Sequence, residues 1–265
     1  MIKDRVNNEP ISARQEQALQ VAREKGRVTV NDLTASCNVT PQTIRKDLND
    51  LCERGLLQRV HGGAVVSPMI ENVGYDVRRV LCAEEKRLIG QRAASLIPNH
   101  CSLFIDLGTT TEQVAVALTG HQSLLVITNN FNVASTFLNS KNIDVILTGG
   151  MMRHSDGGLV GEAAIDFIKQ FRADYAVIGV SAIDEDGALL EFDYREVRVG
   201  RAILENSRHK ILVADSTKFA RTAPVRLGHI GEIDIFVTDT LPSKGFVDIC
   251  KQHDVALEIS DFKTE

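Results

Sequence analysis

TPQTIRKDLNDLCERGLLQRVHGGA, residues 40–64, reads as a recognition helix followed by a short β-hairpin wing. Thr40 can cap the helix, and Pro41 suits its first position, where a missing N–H costs nothing. Ile44, Leu48 and Leu51 recur at steps of four and three, which makes one apolar stripe. Gln42, Thr43, Arg45, Lys46 and Asn49 then project from the other side, beside the capping Thr40. Side chains of these types donate to phosphate oxygens and to purine edges in a major groove. Gly55 ends the helix, and Leu56–Val60 with the Gly62-Gly63 turn supplies the wing, carrying Arg59 and His61. His61 either touches DNA or packs the hairpin, and contact with DNA is the favoured reading.

Upstream, Ser12 to Lys25 places Ala18, Leu19, Val21 and Ala22 on an inner face and stops at Gly26. Val28-Thr29-Val30 then leads into Asn31, read as the cap of a helix through Cys37. The order helix, helix, turn, helix, wing predicts a small winged helix-turn-helix domain over residues 11–67. Residues 68–80, PMIENVGYDVRRV after Ser67, lack both periods and read as a linker. The larger part of the chain must explain what controls the head.

At 265 residues the chain suits one modest module and one larger one. Residues 1–70 hold 10 Lys/Arg against 8 Asp/Glu, net +2, within a chain of net −5. That is a weak basic signal, although the local field governs steering toward DNA. No apolar leader or run of 18 apolar residues occurs, which predicts a cytoplasmic protein with no membrane partner. Five widely spaced cysteines without a CxxC pair predict buried free thiols. His100, His121, His154, His209, His229 and His253 show no metal spacing, so no metal is expected. GxSxG, GxGxxG and Walker-type loops do not occur, and neither a catalytic residue nor a cofactor is assigned.

From Glu84 short apolar runs alternate with helical patterns. Strands are expected at Ser102–Asp106, Ser123–Thr128, Ile143–Thr148, Tyr175–Val180, Ile211–Ala214 and Ile235–Val237. Helices are expected at Glu84–Ile97, Glu112–Leu118, Val133–Leu138, Ala163–Phe171, Tyr194–Asn206 and Lys244–Gln252. This specifies an α/β domain over residues 81–265 around a mainly parallel sheet. Ligands of such sheets bind at the carboxyl ends of the strands.

The loops there carry polar residues. Asp106-Leu107-Gly108-Thr109-Thr110-Thr111 offers a glycine, hydroxyls and helix N-terminal amides to a phosphate. The competing reading is a capping box of Thr109 and Glu112. Thr128-Asn129-Asn130, Thr148-Gly149-Gly150, Asp156-Gly157-Gly158, Ser181 and Asp215-Ser216-Thr217-Lys218 end other strands. Any one of them could be a turn; together they suit a small polyol phosphate, with Lys218 as its point charge. Glu191, Asp193 and Glu196 could do acid–base work or form an ion-paired cluster with Arg195, Arg198 and Arg201.

Together TIRKDL, the RVHGGA wing, IDLGTTT, TNN, LTGG and ADSTKF resemble the DeoR family of bacterial transcriptional repressors, over residues 11–239. The resemblance implies a ribose-5-phosphate-isomerase-like sensor domain, double-stranded operator DNA as partner, and a homo-oligomer, dimer or tetramer. It also implies that Gly108–Thr111 and Lys218 hold a phosphate, while Thr128–Asn130, Gly149-Gly150, Asp193 and Glu196 line the pocket. Within the family, residues 156–198 resemble members that answer to glycerol 3-phosphate, which names that molecule as the effector. Other phosphorylated sugars, or a pentose-phosphate isomerase with an accessory head, are the alternatives. Lys46 stands where the family often has arginine, Gly200 replaces a commonly basic residue, and Ala182 replaces a frequent glycine.

Overall fold

The computed structural model describes residues 11–25, 27–54, 56–60, 62–66 and 75–260. The chain divides into two compact units, Met1–Leu81 and Cys82–Glu265.

The first unit comprises α1 (Ala13–Lys25), β1 (Arg27–Thr29), α2 (Val30–Cys37), α3 (Pro41–Glu53), β2 (Leu57–Val60), β3 (Gly63–Val66) and α4 (Tyr75–Val80). Its three strands form an antiparallel sheet in the order β1-β3-β2. Thr40 caps α3 by accepting the Thr43 N–H at 3.3 Å, and Pro41 occupies the first turn. Ile44, Leu48 and Leu51 are fully buried with Leu33, Ala18 and Ala22. Asp47 falls in the same stripe. Its carboxylate is buried and accepts from the Arg14 guanidinium at 2.5 and 3.1 Å, which ties α1 to α3.

Several expectations need correction. The cap of α2 is Thr29, which accepts the Asp32 N–H, and not Asn31, which lies inside the helix. The end of the expected linker is helical: α4 forms at Tyr75–Val80, with Arg78 and Arg79 over the Tyr75 ring at 6.0 and 5.9 Å. Six residues are too few to show a period, so this helix left no pattern to read. Residues 68–74, Gly26, Gly55 and His61 lie outside the described residues. The cysteines are free, but only Cys250 is buried; Cys37, Cys52, Cys82 and Cys101 are half-exposed.

The second unit runs α5 (Ala83–Ser95), β4 (Ser102–Ile105), α6 (Thr109–Leu118), β5 (Leu124–Thr128), α7 (Phe131–Thr136), β6 (Ile143–Leu147), β7 (Met151–Met152), β8 (Leu159–Val160), α8 (Glu162–Ile168) and β9 (Ala173–Ile178). It continues with β10 (Ala182–Ile183), β11 (Ala188–Glu191), α9 (Tyr194–Glu205), β12 (Ser207–Val213), β13 (Val225–His229), β14 (Ile235–Thr238), α10 (Lys244–Gln252) and β15 (Ala256–Ile259). Seven strands form one sheet in the order β15-β14-β12-β9-β4-β5-β6, and every pairing in it is parallel. Such strands need both faces covered. One face packs Ile89, Ala93, Val114, Leu118 and Val133 from α5, α6 and α7; the other packs Ile165, Val199, Ile203 and Phe246 from α8, α9 and α10. The short strands β10, β11 and β13 form an antiparallel flap, and β7 with β8 a second one; neither was anticipated.

Leu48→Ala is predicted to destabilise the N-terminal unit by about 2–5 kcal/mol, since Leu48 is fully buried at the centre of its core. Hydrogen exchange on the full chain should show the loss in α1–α3 with β4–β6 unchanged. Equal protection in α3 would contradict this placement.

Candidate functional site

Parallel strands all end on one rim of the sheet. From β4 the order runs outward through β5 to β6, and from β9 it runs the other way through β12 and β14 to β15. The reversal between β4 and β9 opens a crevice at that rim, where α/β sheets hold their ligands. Asp106 closes one side of it, its N–H donating to the Val177 carbonyl at 3.0 Å. Ser181, just past β9, stands on the other side.

Beside Asp106 the chain turns at Gly108, whose φ of +140° strains any residue with a Cβ. The helix α6 starts at Thr109, not at Glu112, and its cap Gly108 has no side chain to satisfy the first-turn amides. The capping-box reading therefore fails. Glu112 instead accepts from the Asn130 and Asn132 side-chain amides at 3.2 and 3.0 Å, which turns it from the α6 amides toward α7. Thr109, Thr110 and Thr111 are buried, and Thr111 donates to the Asp106 and Gly108 carbonyls at 2.8 Å.

Several expected site side chains hold the loops themselves. Thr128 donates to the Ile105 carbonyl and accepts the Asn130 N–H, while Asn130 Oδ1 caps α7. Asn129 differs: it is fully buried, and neither polar atom of its amide closes a hydrogen bond, although it lies close enough to Asp106 to favour the charged carboxylate. The Thr148 hydroxyl is likewise buried without a bond. Gly149 and Gly150 are exposed at the β6 end of the rim.

A residue absent from the sequence reading organises the centre. Arg153, on the loop between β7 and β8, bonds Asp156 and Glu196 and reaches Asp193 at 3.2 Å. Its side chain is 12% exposed, so this is a partly desolvated cation among three carboxylates. Burial alone would lower its pKa, but Glu196 and Asp156 outweigh that and hold the proton more firmly. Asp193 also caps α9 through the Arg195 N–H, and the Arg195 guanidinium holds its carboxyl down at about 2. Of the expected cluster only Arg195 joins: Arg198 pairs with Glu162, and Arg201 with Glu232 and Glu205.

Glu191 accepts from the Ser181 hydroxyl at 2.5 Å. Burial pushes its carboxyl well up, Glu196 adds to the shift, and Ser181 and Lys218 oppose it. Lys218 sits buried in the 3-10 turn Ser216–Ala220, next to Asp215. Burial favours the neutral Asp215, yet Lys218 and Lys86 together keep it below the ordinary range. Lys86 is a second residue that was missed. It is 4% exposed on α5, and its spacing with Ile89, Gly90, Ala93 and Ala94 is the signal that could have found it. The structure thus gathers Asp106, Asn129, Ser181, Glu191, Asp193, Glu196 and Lys218 around Arg153 and Lys86. At Gly200 a Cβ would lie 3.3 Å from the Asp106 carboxylate, so a basic side chain there would reach this acid.

In the N-terminal unit, Gln42, Arg45, Lys46 and Asn49 are exposed on one side of α3, and Arg59 is exposed on β2. The Thr40 and Thr43 hydroxyls lie 2.9 Å apart and bond each other.

Comparison with known proteins gives concordant matches. A DeoR-like helix-turn-helix domain matches residues 14–68, and a DeoR C-terminal sensor domain matches residues 81–240. A glycerol-3-phosphate regulon repressor of Escherichia coli (strain K12) is 45% identical over 91% of this chain and 96% of its own length. One from Haemophilus influenzae is 44% identical over 95% and 98%. Among solved structures, ribose 5-phosphate isomerase A from Neisseria gonorrhoeae aligns over 54% of each chain at 12% identity. Its TM-score is 0.38, and this partial likeness carries no functional weight.

The Asp106 carboxyl is pushed up to about 7, first by burial and then by Glu196, against Leu107, Asn129 and Arg153. The fold prefers the neutral acid. The stability it contributes is complete below the ordinary aspartate value and is lost as pH rises through about 7. Asp106→Asn is therefore predicted to raise the melting temperature most at pH 8 and less at pH 5. Circular-dichroism melts showing equal shifts at both would contradict a buried charge.

Proposed function

The chain belongs to the DeoR family, and within it we propose a transcriptional repressor that leaves its operator when glycerol 3-phosphate fills the β4/β9 crevice. The observation that carries the effector is the 44–45% identity, spread over nearly the whole chain, with relatives named for the glycerol-3-phosphate regulon. The site chemistry agrees with it. The phosphate would lie on the first-turn amides of α6, at Thr109–Thr111 behind Gly108, where the helix end favours an anion. Lys218 and Lys86 would supply point charges. Asp106, Asn129, Asn130, Thr128, Ser181, Asp193, Glu196 and the Gly149-Gly150 backbone would line the hydroxyl side. Arg153 would hold the loop that closes it.

The output is the exposed side of α3. Gln42, Thr43, Arg45, Lys46 and Asn49 would meet base edges and phosphates in a major groove, with Arg59 and His61 of the wing on the backbone. Lys46 is a point charge where a guanidinium would fork, so Arg45 is the better reader of guanine. One such helix reads one half-site, and a two-fold operator then requires a homo-oligomer in the cytoplasm. Effector binding needs to favour the released state by about 3 kcal/mol to shift occupancy roughly a hundredfold.

Arg45→Ala is expected to cost about 1–3 kcal/mol of operator binding and to relax base preference. Unchanged binding in a mobility-shift titration would remove α3 from the groove. Lys218→Ala is expected to bind operator normally yet need at least tenfold more glycerol 3-phosphate for release; a wild-type release curve would take Lys218 out of the pocket. Releasing the wild type with a panel of phosphorylated polyols decides the effector. A stronger response to fructose 1-phosphate or a tagatose phosphate would replace it.

A further inference from the structure

The seven-stranded sheet has two edges, and they are finished differently. On β15 the edge carries Glu258, which accepts from the Arg92 guanidinium at 3.1 and 2.6 Å. That ion pair ties the edge strand to α5. The opposite edge, β6, has the sequence Ile-Asp-Val-Ile-Leu, with one exposed charge, Asp144, and no lysine or proline. Among the described residues it pairs only with β5. Because the Thr148 N–H turns inward to the Thr128 carbonyl, alternation along the strand turns the Val145 and Leu147 peptide groups outward.

The segments that flank this edge in the chain expose apolar side chains. Leu147 is 38% exposed, Met151 59%, Met152 47%, Phe131 50% and Leu138 83%. These are five of the ten large apolar side chains exposed among the described residues, and all fall within residues 131–152. Clustering on that scale marks a contact surface, whereas scattered exposed residues would need no account. The same residues hold one cation, Lys141, and one anion, Asp144. A surface that meets its own image across a two-fold axis must be self-complementary, and a neutral apolar strip with one charge of each sign satisfies that.

We propose that the β6 edge, with Phe131, Leu138, Leu147, Met151 and Met152, is where a second copy of this chain docks, edge strand against edge strand. The two outward-facing backbones would then continue one sheet through both copies, and the methionines, with their adaptable side chains, would fill the seam. The choice of a second copy rests on the repressor reading in one respect: one recognition helix per chain demands a two-fold mate. The contact itself needs neither DNA nor effector.

The full-length chain is measured by light scattering behind gel filtration, with neither ligand present. Wild type is expected to run as two or more copies. Leu147→Arg with Met151→Arg is expected to lower the mass at least twofold at the same concentration while keeping the far-ultraviolet circular dichroism of the wild type. Leu241→Arg, at a more exposed side chain beyond β14, is expected to leave the mass unchanged. Should the double variant fail to fold, Phe131→Arg gives the same reading from a helix surface. A variant that keeps its full mass overturns the proposal. So does a monomeric wild type, which would assign the edge to a different protein. Failure of glycerol 3-phosphate to release the operator would leave these masses as they are, so the two readings fail separately.

Discussion

Parallel strands impose a single constraint from which most of the sensor unit follows: every strand begins on one rim of the sheet and ends on the other. All the loops after β4, β5, β6, β9 and β12 are delivered to one side. The reversal of order between β4 and β9 then leaves a crevice at that rim. Asp106 and Ser181 face it from either side, and α6 presents its uncapped amides there. Desolvated charges in such a place are costly, and an apolar filling would often serve stability as well or better. Arg153 with Asp156, Asp193 and Glu196, and Asp215 between Lys86 and Lys218, are therefore features of a site more readily than of a core.

How far the sequence could be read depends on the range over which each feature is encoded. Helix α3 is written locally, in a cap, a proline and a stripe, and it stands where the residues placed it. The central strands are apolar runs and were equally legible. Strands β7, β8 and β10 have two residues each, and no period can be recognised in two residues. Arg153 could not have been found by spacing, because Asp193 and Glu196 lie 40 and 43 residues further along the chain.

Other misses were readable. Asp47 and Lys86 each sit inside an otherwise apolar helical stripe, and a charge in that position must find a partner or a ligand. Asp47 finds Arg14, a structural tie within the DNA-binding head. Lys86 faces the Asp215 carboxylate in the crevice. The same signal thus marks a clamp in one unit and a candidate site in the other, and only the neighbours tell them apart. At Gly108 the opposite error occurred. Thr109 and Glu112 have the spacing of a capping box, but the glycine before them opens the helix one residue earlier and leaves its amides bare.

Gly90 of α5 packs so closely on α6 that an added Cβ would stand 2.6 Å from the Gln113 carbonyl carbon. Backbone cannot yield as a flexible side chain can. Lys86 lies one turn earlier on the same face of α5, while the proposed phosphate cradle opens the α6 helix that Gly90 touches. The hydrogen atom at position 90 therefore acts as a spacer gauge between a cation and the amides it is proposed to assist. A lineage that drifts toward a bulkier ligand has a route here that alters no residue lining the crevice: a methyl group at 90 would widen the gap between two helices and retune the charge geometry from behind.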